Sequence, residues 1–462
     1  VNSRAAVVSS GEQIEITIDS VNHNGEGVGR YKGVAVFVPF TIPGEKVLVE
    51  ILELKKNYVT AKLIRHHEPS GQRIQPRCPV FDTCGGSQFQ HIDYQLQLDL
   101  KRRLVEDALR RIGKITGVRV DEPLGMKDPW AYRNKAQFQV SLVDGKVKLG
   151  FFEEGSHALV PTTQCLLIDQ QISDIAAIVE GILNKYQVPV YEWETGTGLL
   201  RHVVIRKGWA TSKVMVVLTT SGEKFGELFS LAREIKAKIP QVASVVRNIN
   251  TSPSRTVFGR ENQVLAGQLN ITDQLAGLTF SISPTSFYQV NSAQTEILYA
   301  KALEFAGLSG RETVLDVYCG IGTISLFLAR QAARVFGFEV SVEAVRDAAE
   351  NAKANKIYNV EFISGKAEER LPKLVAAGVK PDVVVVDPPR QGIEKRALQA
   401  IADMAPKRIV YISCDPATMA RDLNFLSYRG YEVKKVQPVD MFPQTGHVEC
   451  IIMMTYSGSK GK

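Results

Sequence analysis

What most limits how this chain can fold is a series of short, wholly apolar runs in its last third, spaced by amphipathic stretches. Thr313-Val314-Leu315-Asp316-Val317 enters a glycine turn, Tyr318-Cys319-Gly320-Ile321-Gly322, with an apolar helix behind it. Val335-Phe336-Gly337-Phe338-Glu339 is a second such run, followed by a helical stretch over 342–355. Strands near Val360, Asp382, Arg408 and Val433 continue the alternation. Uninterrupted apolar runs suit strands covered on both faces, and strands alternating with helices predict an α/β fold with a doubly wound sheet. Such sheets place their chemistry outside the carboxyl ends of the strands.

The first turn already narrows the ligand. Gly320 and Gly322 let a ligand approach the backbone. Glu339 ends the next strand, where a carboxylate can hold ribose hydroxyls. A dinucleotide fingerprint would want a third glycine, and Ser325 stands at that position. A nucleoside without a pyrophosphate, such as S-adenosyl-L-methionine, therefore fits better than NAD.

Three further strand ends carry reactive groups. Arg408-Ile409-Val410-Tyr411-Ile412 runs into Ser413-Cys414-Asp415-Pro416, which puts a thiol where strand becomes turn. Val383-Val384-Val385-Val386 ends in Asp387-Pro388-Pro389-Arg390, and Gly446-His447-Val448-Glu449-Cys450 puts a carboxylate just before Ile451-Ile452-Met453-Met454. A lone cysteine at a strand end reads most simply as a small buried hydrophobe. With Asp387 and Glu449 at neighbouring ends, a thiol and two carboxylates could converge on one sheet edge.

Length and charge bound the rest. The chain has 462 residues, enough for two or three domains with separate cores. A formal charge of +7 suits a polyanionic partner. No apolar stretch is long enough to span a bilayer, and the sequence as given opens without a signal-peptide pattern. Six cysteines spread through it do not make a disulfide scaffold, so the expectation is a cytoplasmic protein with no membrane partner.

Residues 11–68 read as a small all-β module. Ile14-Glu15-Ile16-Thr17-Ile18 and Val47-Leu48-Val49-Glu50-Ile51 alternate apolar and polar, Ala35-Val36-Phe37-Val38 returns as a strand, and glycines punctuate the segment between. Short strands at this spacing suggest a small barrel. The run His23-Asn24-Gly25-Glu26-Gly27-Val28-Gly29-Arg30, followed by Phe40-Thr41-Ile42-Pro43-Gly44-Glu45, resembles the TRAM domain, a barrel that implies RNA binding. The alternative is a purely structural β-domain.

Beyond it, Cys78 and Cys84 with the turn Gly85-Gly86-Ser87 could bind zinc or an iron–sulfur cluster. A helix follows from Tyr94 to about Lys114, with Leu100, Leu104, Val105, Leu109 and Ile112 as its apolar stripe. Its other face carries Lys101, Arg102, Arg103, Arg110 and Arg111, most simply a solvated face. Residues 122–280 read as mixed α and β without a catalytic constellation. Basic residues at apparent strand edges, Tyr132-Arg133-Asn134-Lys135 and Arg201 to Lys207, suit phosphate contacts, or are ordinary surface charge.

Taken in order, Pro284-Thr285-Ser286-Phe287-Tyr288-Gln289-Val290-Asn291, the 316–322 turn, Asp387-Pro388-Pro389-Arg390, Ser413-Cys414-Asp415-Pro416 and His447-Val448-Glu449 resemble the uracil-5 RNA methyltransferases acting on tRNA or 23S rRNA. The resemblance covers nearly the whole chain. It implies a Rossmann-like class I methyltransferase domain beside the TRAM barrel and a mixed α+β central domain. The implied division is 9–68, then 69–92 with 125–284, then 93–124 with 285–458. It implies Cys414 as the nucleophile that adds to C6 of uracil and Glu449 as the base that removes the C5 proton. Gln289, Tyr318, Gly320, Glu339 and Asp387 match cofactor positions, and Phe287 and Asp387 positions facing the target base. In that family the cysteine loop holds a [4Fe-4S] cluster. Cys78, Cys84 and Cys165 match its ligands, but Ser87 replaces the remaining cysteine, and a serine hydroxyl is a poor soft-metal ligand.

The N-terminal barrel and cysteine loop resemble the 23S rRNA branch more than the compact tRNA enzymes, so rRNA is the expected substrate, DNA is not, and a monomer is expected. The alternatives are the same reaction on tRNA, an amino-methyltransferase of the same fold, whose acidic-Pro-Pro turn Asp387-Pro388-Pro389 resembles, and an RNA-binding protein without catalysis. The thiol at Cys414 separates the first expectation from the amino-methyltransferases, which need none.

Overall fold

The computed structural model describes residues 8–458. Five strands, β1 (Gln13–Val21), β2 (Gly27–Tyr31), β3 (Val34–Val38), β4 (Lys46–Leu54) and β5 (Tyr58–Glu68), close a barrel in the order β1-β2-β3-β5-β4. The alternation seen in the sequence points Ile14, Ile16, Ile18, Val36, Val47, Val49 and Val59 inward. Glu45 ties the barrel to the next segment of chain, its buried carboxylate taking two hydrogen bonds from Arg73, at 2.8 and 2.7 Å. Burial alone would raise that carboxyl, but Arg73 and the backbone N–H groups of Ser70 and Ile42 hold it below its ordinary value.

Helix α1 (Tyr94–Arg111) is capped by Asp93, which accepts from the Gln95 N–H. Two of its residues depart from the expected pattern. Lys101 is fully buried rather than on a solvated face, because Asp440 supplies its counter-charge. Ile112 lies exposed past the last turn. The remaining basic residues do face water, in ion pairs such as Arg103–Asp99 and Arg110–Asp107.

Next come β6 (Lys135–Val143), β7 (Lys146–Phe152), β8 (Leu159–Pro161), α2 (Gln170–Lys185), β9 (Leu200–Lys207), β10 (Val214–Thr220), α3 (Leu228–Lys238), β11 (Val242–Ile249) and β12 (Glu261–Gly267). They form one sheet, ordered β12-β11-β10-β9-β6-β7-β8, with α2 and α3 packed on one face. Strand β9 is central, not an edge, and this changes the reading of its basic residues. Arg201 is buried against the rings of Tyr191 and Trp193 and donates to the Ser252 and Ser254 carbonyls at 2.8 and 2.7 Å. It braces a loop and is not open to a ligand.

A hairpin, β13 (Ile271–Leu275) and β14 (Leu278–Ile282), leads to α4 (Ser292–Ala306). The last unit contains β15 (Thr313–Val317), α5 (Thr323–Ala329), β16 (Arg334–Glu339), α6 (Val342–Ala354), β17 (Val360–Ser364), α7 (Ala367–Ala376), β18 (Val383–Val386), α8 (Lys395–Met404), β19 (Arg408–Ser413), α9 (Pro416–Tyr428), β20 (Tyr431–Val439) and β21 (Glu449–Tyr456). Its sheet runs β17-β16-β15-β18-β19-β21-β20, parallel except for β21, which lies antiparallel to both neighbours. All four valines of β18 are buried, each worth about 1.5–3 kcal/mol, which is why that strand carries no polar residue.

The two faces of this sheet bury separate cores. One takes Val410, Ile412 and Ile451 together with α4, the hairpin, and Val204, Met215 and Val217 of the central sheet. The other takes Tyr411 and Ile452 with α7, α8, α9 and, from much earlier in the chain, Val105, Leu109 and Val120. Helix α1 and the segment after it therefore pack with the last unit. The order of strands reverses at β15, so a crevice opens between the carboxyl ends of β15 and β18.

Candidate active site

Cys414 and Glu449 meet because β21 inserts between β19 and β20. The β19–β21 ladder pairs Ile412 with Ile451 and Ser413 with Cys450. One step outward, Cys414 faces Glu449, and alternation turns both toward the core shared with the central sheet. Cys414 lies between the end of β19 and the first turn of α9, half-buried. Asp415 caps that helix, accepting from the Thr418 N–H at 2.8 Å, and Pro416 opens it. Asp387 follows β18 next door, where Val386 pairs with Tyr411.

The electrostatics follow from burial and crowding. The Cys414 thiol is pushed up to about 11 by burial, then by the charges of Glu449 and Asp387, with Arg390 pulling the other way. Glu449 is 3% exposed, and burial, then Asp387, raises its carboxyl well above the ordinary range while Arg390 lowers it. Asp387 is raised by burial as well. Two buried carboxylates side by side resist double ionisation, so one of them tends to hold a proton near neutrality. In such a pair the ionised carboxylate can accept a proton and the protonated carboxyl can return one during a reaction.

Tyr299 of α4 sits beneath this cluster, fully buried, with Asp387, Asp316 and Glu449 as its charged neighbours and Thr323 Oγ1 3.1 Å from its hydroxyl. Nothing in the sequence singles it out, since its spacing is that of an ordinary core position. Asp316 is pushed up to about 7 by burial, and Ser325 donates to its Oδ2, leaving Oδ1 without a partner. Ser325 therefore stands where a third glycine would be because its hydroxyl faces Asp316.

The glycine turn leaves room for a nucleoside. Gly320 has φ +55° with nothing within 4 Å of the space a Cβ would take. At Gly322, φ +81°, a Cβ would lie 2.8 Å from the Phe362 ring. Glu339 Oε2 accepts from the Gly320 N–H at 3.2 Å and Oε1 from the Ser341 N–H at 2.8 Å, so the carboxylate is held at the rim of the turn. The residues present suit a nucleoside cofactor whose hydroxyls approach Glu339. Tyr318, at φ +74°, packs against the opposite core, its hydroxyl raised by burial.

The 284–291 segment closes the other side. Asn134 donates to the Gln289 carbonyl at 2.9 Å and to Ser292 Oγ at 3.0 Å. Gln289 is buried, whereas Phe287 is 67% exposed between the buried Ser286 and Tyr288. A phenyl ring held out between two buried neighbours is free to stack on a planar ligand.

The segment just before Glu449 is braced from three directions. Lys101 and Tyr94 of α1 donate to Asp440 at 2.5 and 2.8 Å, and Tyr132 donates to the Pro443 carbonyl at 3.0 Å. The Gln88 and Phe89 N–H groups donate to the Gln444 carbonyl. Gly446 lies against the barrel, where a Cβ would come 3.0 Å from the Gly25 nitrogen. His447 is lowered to about 4 by burial and then by Arg390, Lys101 and other nearby cations, so it is neutral at pH 7.

The cysteine loop does not match a four-ligand site. Burial, and to a lesser degree the neighbouring Cys78, raises the thiols of Cys84 and Cys165, with Cys84 also acting on Cys165. Ser87 is buried, with its Oγ accepting from Gln90 Nε2 at 2.8 Å, and Gln90 Oε1 in turn accepts the Cys78 N–H at 3.1 Å. Its hydroxyl is committed to that loop. Among the described residues no group of His, Cys, Asp and Glu side chains is gathered as a metal ion requires.

Known proteins resemble this arrangement. The profile of the tRNA (uracil-5-)-methyltransferase family matches residues 227–457, and that of the TRAM domain matches 8–64. An uncharacterized RNA methyltransferase of Halalkalibacterium halodurans is 44% identical over 98% of this chain and 99% of its own. Another, of Caldanaerobacter subterraneus subsp. tengcongensis, is 46% identical over 97% of this chain and 99% of its own. Among solved structures, the tRNA (uracil-54, C5)-methyltransferase of Pyrococcus abyssi, in complex with S-adenosyl-L-homocysteine, is similar with a TM-score of 0.76 and 26% identity, over 96% of this chain and 99% of that one.

Proposed function

The chain belongs to the tRNA (uracil-5-)-methyltransferase family and is an S-adenosylmethionine-dependent RNA methyltransferase, and we propose that it methylates C5 of uridine in 23S rRNA through a covalent adduct with Cys414. The observation that carries the proposal is that Cys414, just past the Ser413–Cys450 pair of the β19–β21 ladder, feels the charges of both Glu449 and Asp387.

C5 of uracil is too weak a nucleophile to take a methyl group unaided. In the proposed reaction the Cys414 thiol gives its proton to water and the thiolate adds to C6, which makes C5 nucleophilic. S-adenosylmethionine supplies the methyl group from its sulfonium. C5 takes that group while still carrying its own proton. Glu449, ionised, removes this proton, and the electron pair left behind re-forms the C5–C6 double bond as the sulfur departs. Glu449 passes the proton to the departing thiolate, and the products are 5-methyluridine, S-adenosylhomocysteine, the free cysteine thiol and the proton released at the first step. Glu339 would hold the ribose of the bound cofactor, and Gln289, Tyr318, Gly320 and Asp387 are the positions that would line the rest of its pocket. Phe287 stacks on the target base and Asp387 faces its edge. Such a base must leave its helix or loop to be reached. No step runs through a cluster at the cysteine loop.

The choice of 23S rRNA rests on the resemblance of the barrel and cysteine loop to the rRNA branch. A tRNA substrate is the second reading, favoured by the Pyrococcus abyssi structure, whose protein acts on tRNA and aligns over nearly the whole chain. We also assign a monomer in the cytoplasm; among the described residues no helix is long and apolar enough to cross a membrane. Labelled S-adenosylmethionine offered with unmodified 23S rRNA and with tRNA, followed by nucleoside analysis, tests this. 5-Methyluridine in rRNA, lost with Cys414→Ala, is expected. Label in tRNA alone would reverse the substrate, and a methylated purine would end the mechanism.

A further inference from the structure

Lys135 and Arg206 stand directly opposite each other across the antiparallel β6–β9 pair, in the middle of the central sheet. Like charges in that position repel, and nothing in the sheet's own packing calls for them. Arg206 is 3% exposed and its Nη1 has no hydrogen-bond partner, while Nη2 donates to the Ser286 carbonyl at 2.8 Å. Arg133, two residues before Lys135, is half-buried and its Nε is also unpartnered. Among the described residues none of the three forms an ion pair, although the neighbouring Lys207 does, with Asp169 at 2.7 Å.

These cations face the catalytic side. Opposed residues of an antiparallel pair share a face, and Val204, two residues from Arg206 on that face, lies in the core joined to the last unit. Arg206 holds the carbonyl of the residue immediately before Phe287, the exposed ring beside the site. We propose that Lys135 and Arg206, flanked by Arg133, receive a phosphodiester of the RNA adjacent to the uridine being methylated. A guanidinium with a spare N–H and an ammonium at close range suit one phosphate group, and the loop that carries Phe287 is then fixed by the contact that seats the backbone. Lys135 is held down to about 7 by burial, then by Arg206 and Arg133, and a bound phosphate would restore its charge. This site deepens the RNA reading above and rests on it.

The competing occupant is the carboxylate of S-adenosylmethionine, and the test separates the two. Affinities of Lys135→Met, Lys135→Arg and Arg206→Gln are measured for unmodified 23S rRNA and for tRNA transcripts over a KCl series. S-adenosylmethionine affinity and thermal melting are measured alongside. The half-buried Lys135 tolerates the methionine, so the outcome does not depend on whether Arg206→Gln folds. For Lys135→Met the slope of log affinity against log salt should become shallower by about 0.7, and RNA affinity at low salt should fall roughly tenfold. Lys135→Arg should restore the slope, with S-adenosylmethionine affinity unchanged throughout. An unaltered slope with both RNAs overturns the phosphate site, as does a loss of S-adenosylmethionine affinity. A retained slope change in an enzyme that makes no 5-methyluridine would overturn the substrate reading alone.

Discussion

Lys101 and Asp440 form a fully buried ion pair at 2.5 Å, joining two positions 339 residues apart in sequence. Lys101 Nζ also donates to the Phe442 carbonyl at 3.0 Å, so one side chain pins the start of the segment that ends at Glu449. Burial lowers the ammonium's affinity for its proton and Asp440 raises it again. A helix placed just after the N-terminal barrel thus anchors the segment that leads to Glu449.

Removing one partner leaves the other charge buried alone. Lys101→Met should cost about 3–5 kcal/mol, read as a lowered denaturation midpoint. The double variant Lys101→Met/Asp440→Asn should recover part of that loss. Equal stability of the Lys101→Met variant and the wild-type protein would mean that the pair is not shielded from water.

Cys414→Ala should abolish methyl transfer, by roughly 10⁴-fold or more, while S-adenosylmethionine still binds. Glu449→Gln should stop the reaction after methyl transfer. An RNA–protein species surviving denaturing electrophoresis is then expected, and it should vanish when Cys414→Ala is added. Free methylated RNA released normally by Glu449→Gln would remove that residue from the proton step.

The thiol's environment sets the pH dependence. With Cys414 held up to about 11, thiolate is scarce at neutral pH, and alkylation by iodoacetamide should rise about tenfold per pH unit up to that point. Burial is the first cause and the charge of Glu449 the second, so Glu449→Gln should move the inflection down. Arg390→Gln should move it up, because Arg390 lowers the value in the wild type. Shifts of the opposite sign would refute this account of the cluster.

Phe287→Ala should weaken RNA binding roughly five- to a hundredfold, the range of a base stacked on an aromatic ring. Melting should stay unchanged, since the ring is 67% exposed. A purely structural Phe287 would show the reverse.

Iron content checks the cysteine loop. Protein reconstituted anaerobically should hold well under four irons per chain, because the Ser87 hydroxyl is bonded to Gln90 and cannot replace a thiolate. Ser87→Cys should raise the content. A full complement in the wild type would show that the loop rearranges around metal.

Much of this protein was legible in its sequence because the relevant signals are local. Apolar runs alternating with helices specify the doubly wound sheet, period-two alternation specifies the barrel, and a reactive residue following each apolar run marks a strand end. Cys414, Glu449, Asp387 and the glycine turn were identified on that basis, together with the order of their motifs. Periodicity says which face of an element is buried, but not what lies across from it. So the solvated reading of Lys101 failed, as did the edge reading of Arg201, whose strand is the middle of its sheet. Tyr299 carried no signal at all, since a tyrosine at a core position of a helix looks the same whether or not three carboxylates lie near its ring. The sequence by itself determined the fold class and the N-terminal barrel, and it offered the candidate reactive side chains. Only the tertiary structure decided which of them meet, because strand order, which inserts β21 between β19 and β20, and the burial of Lys101 against Asp440, 339 residues away, are not local properties of any segment.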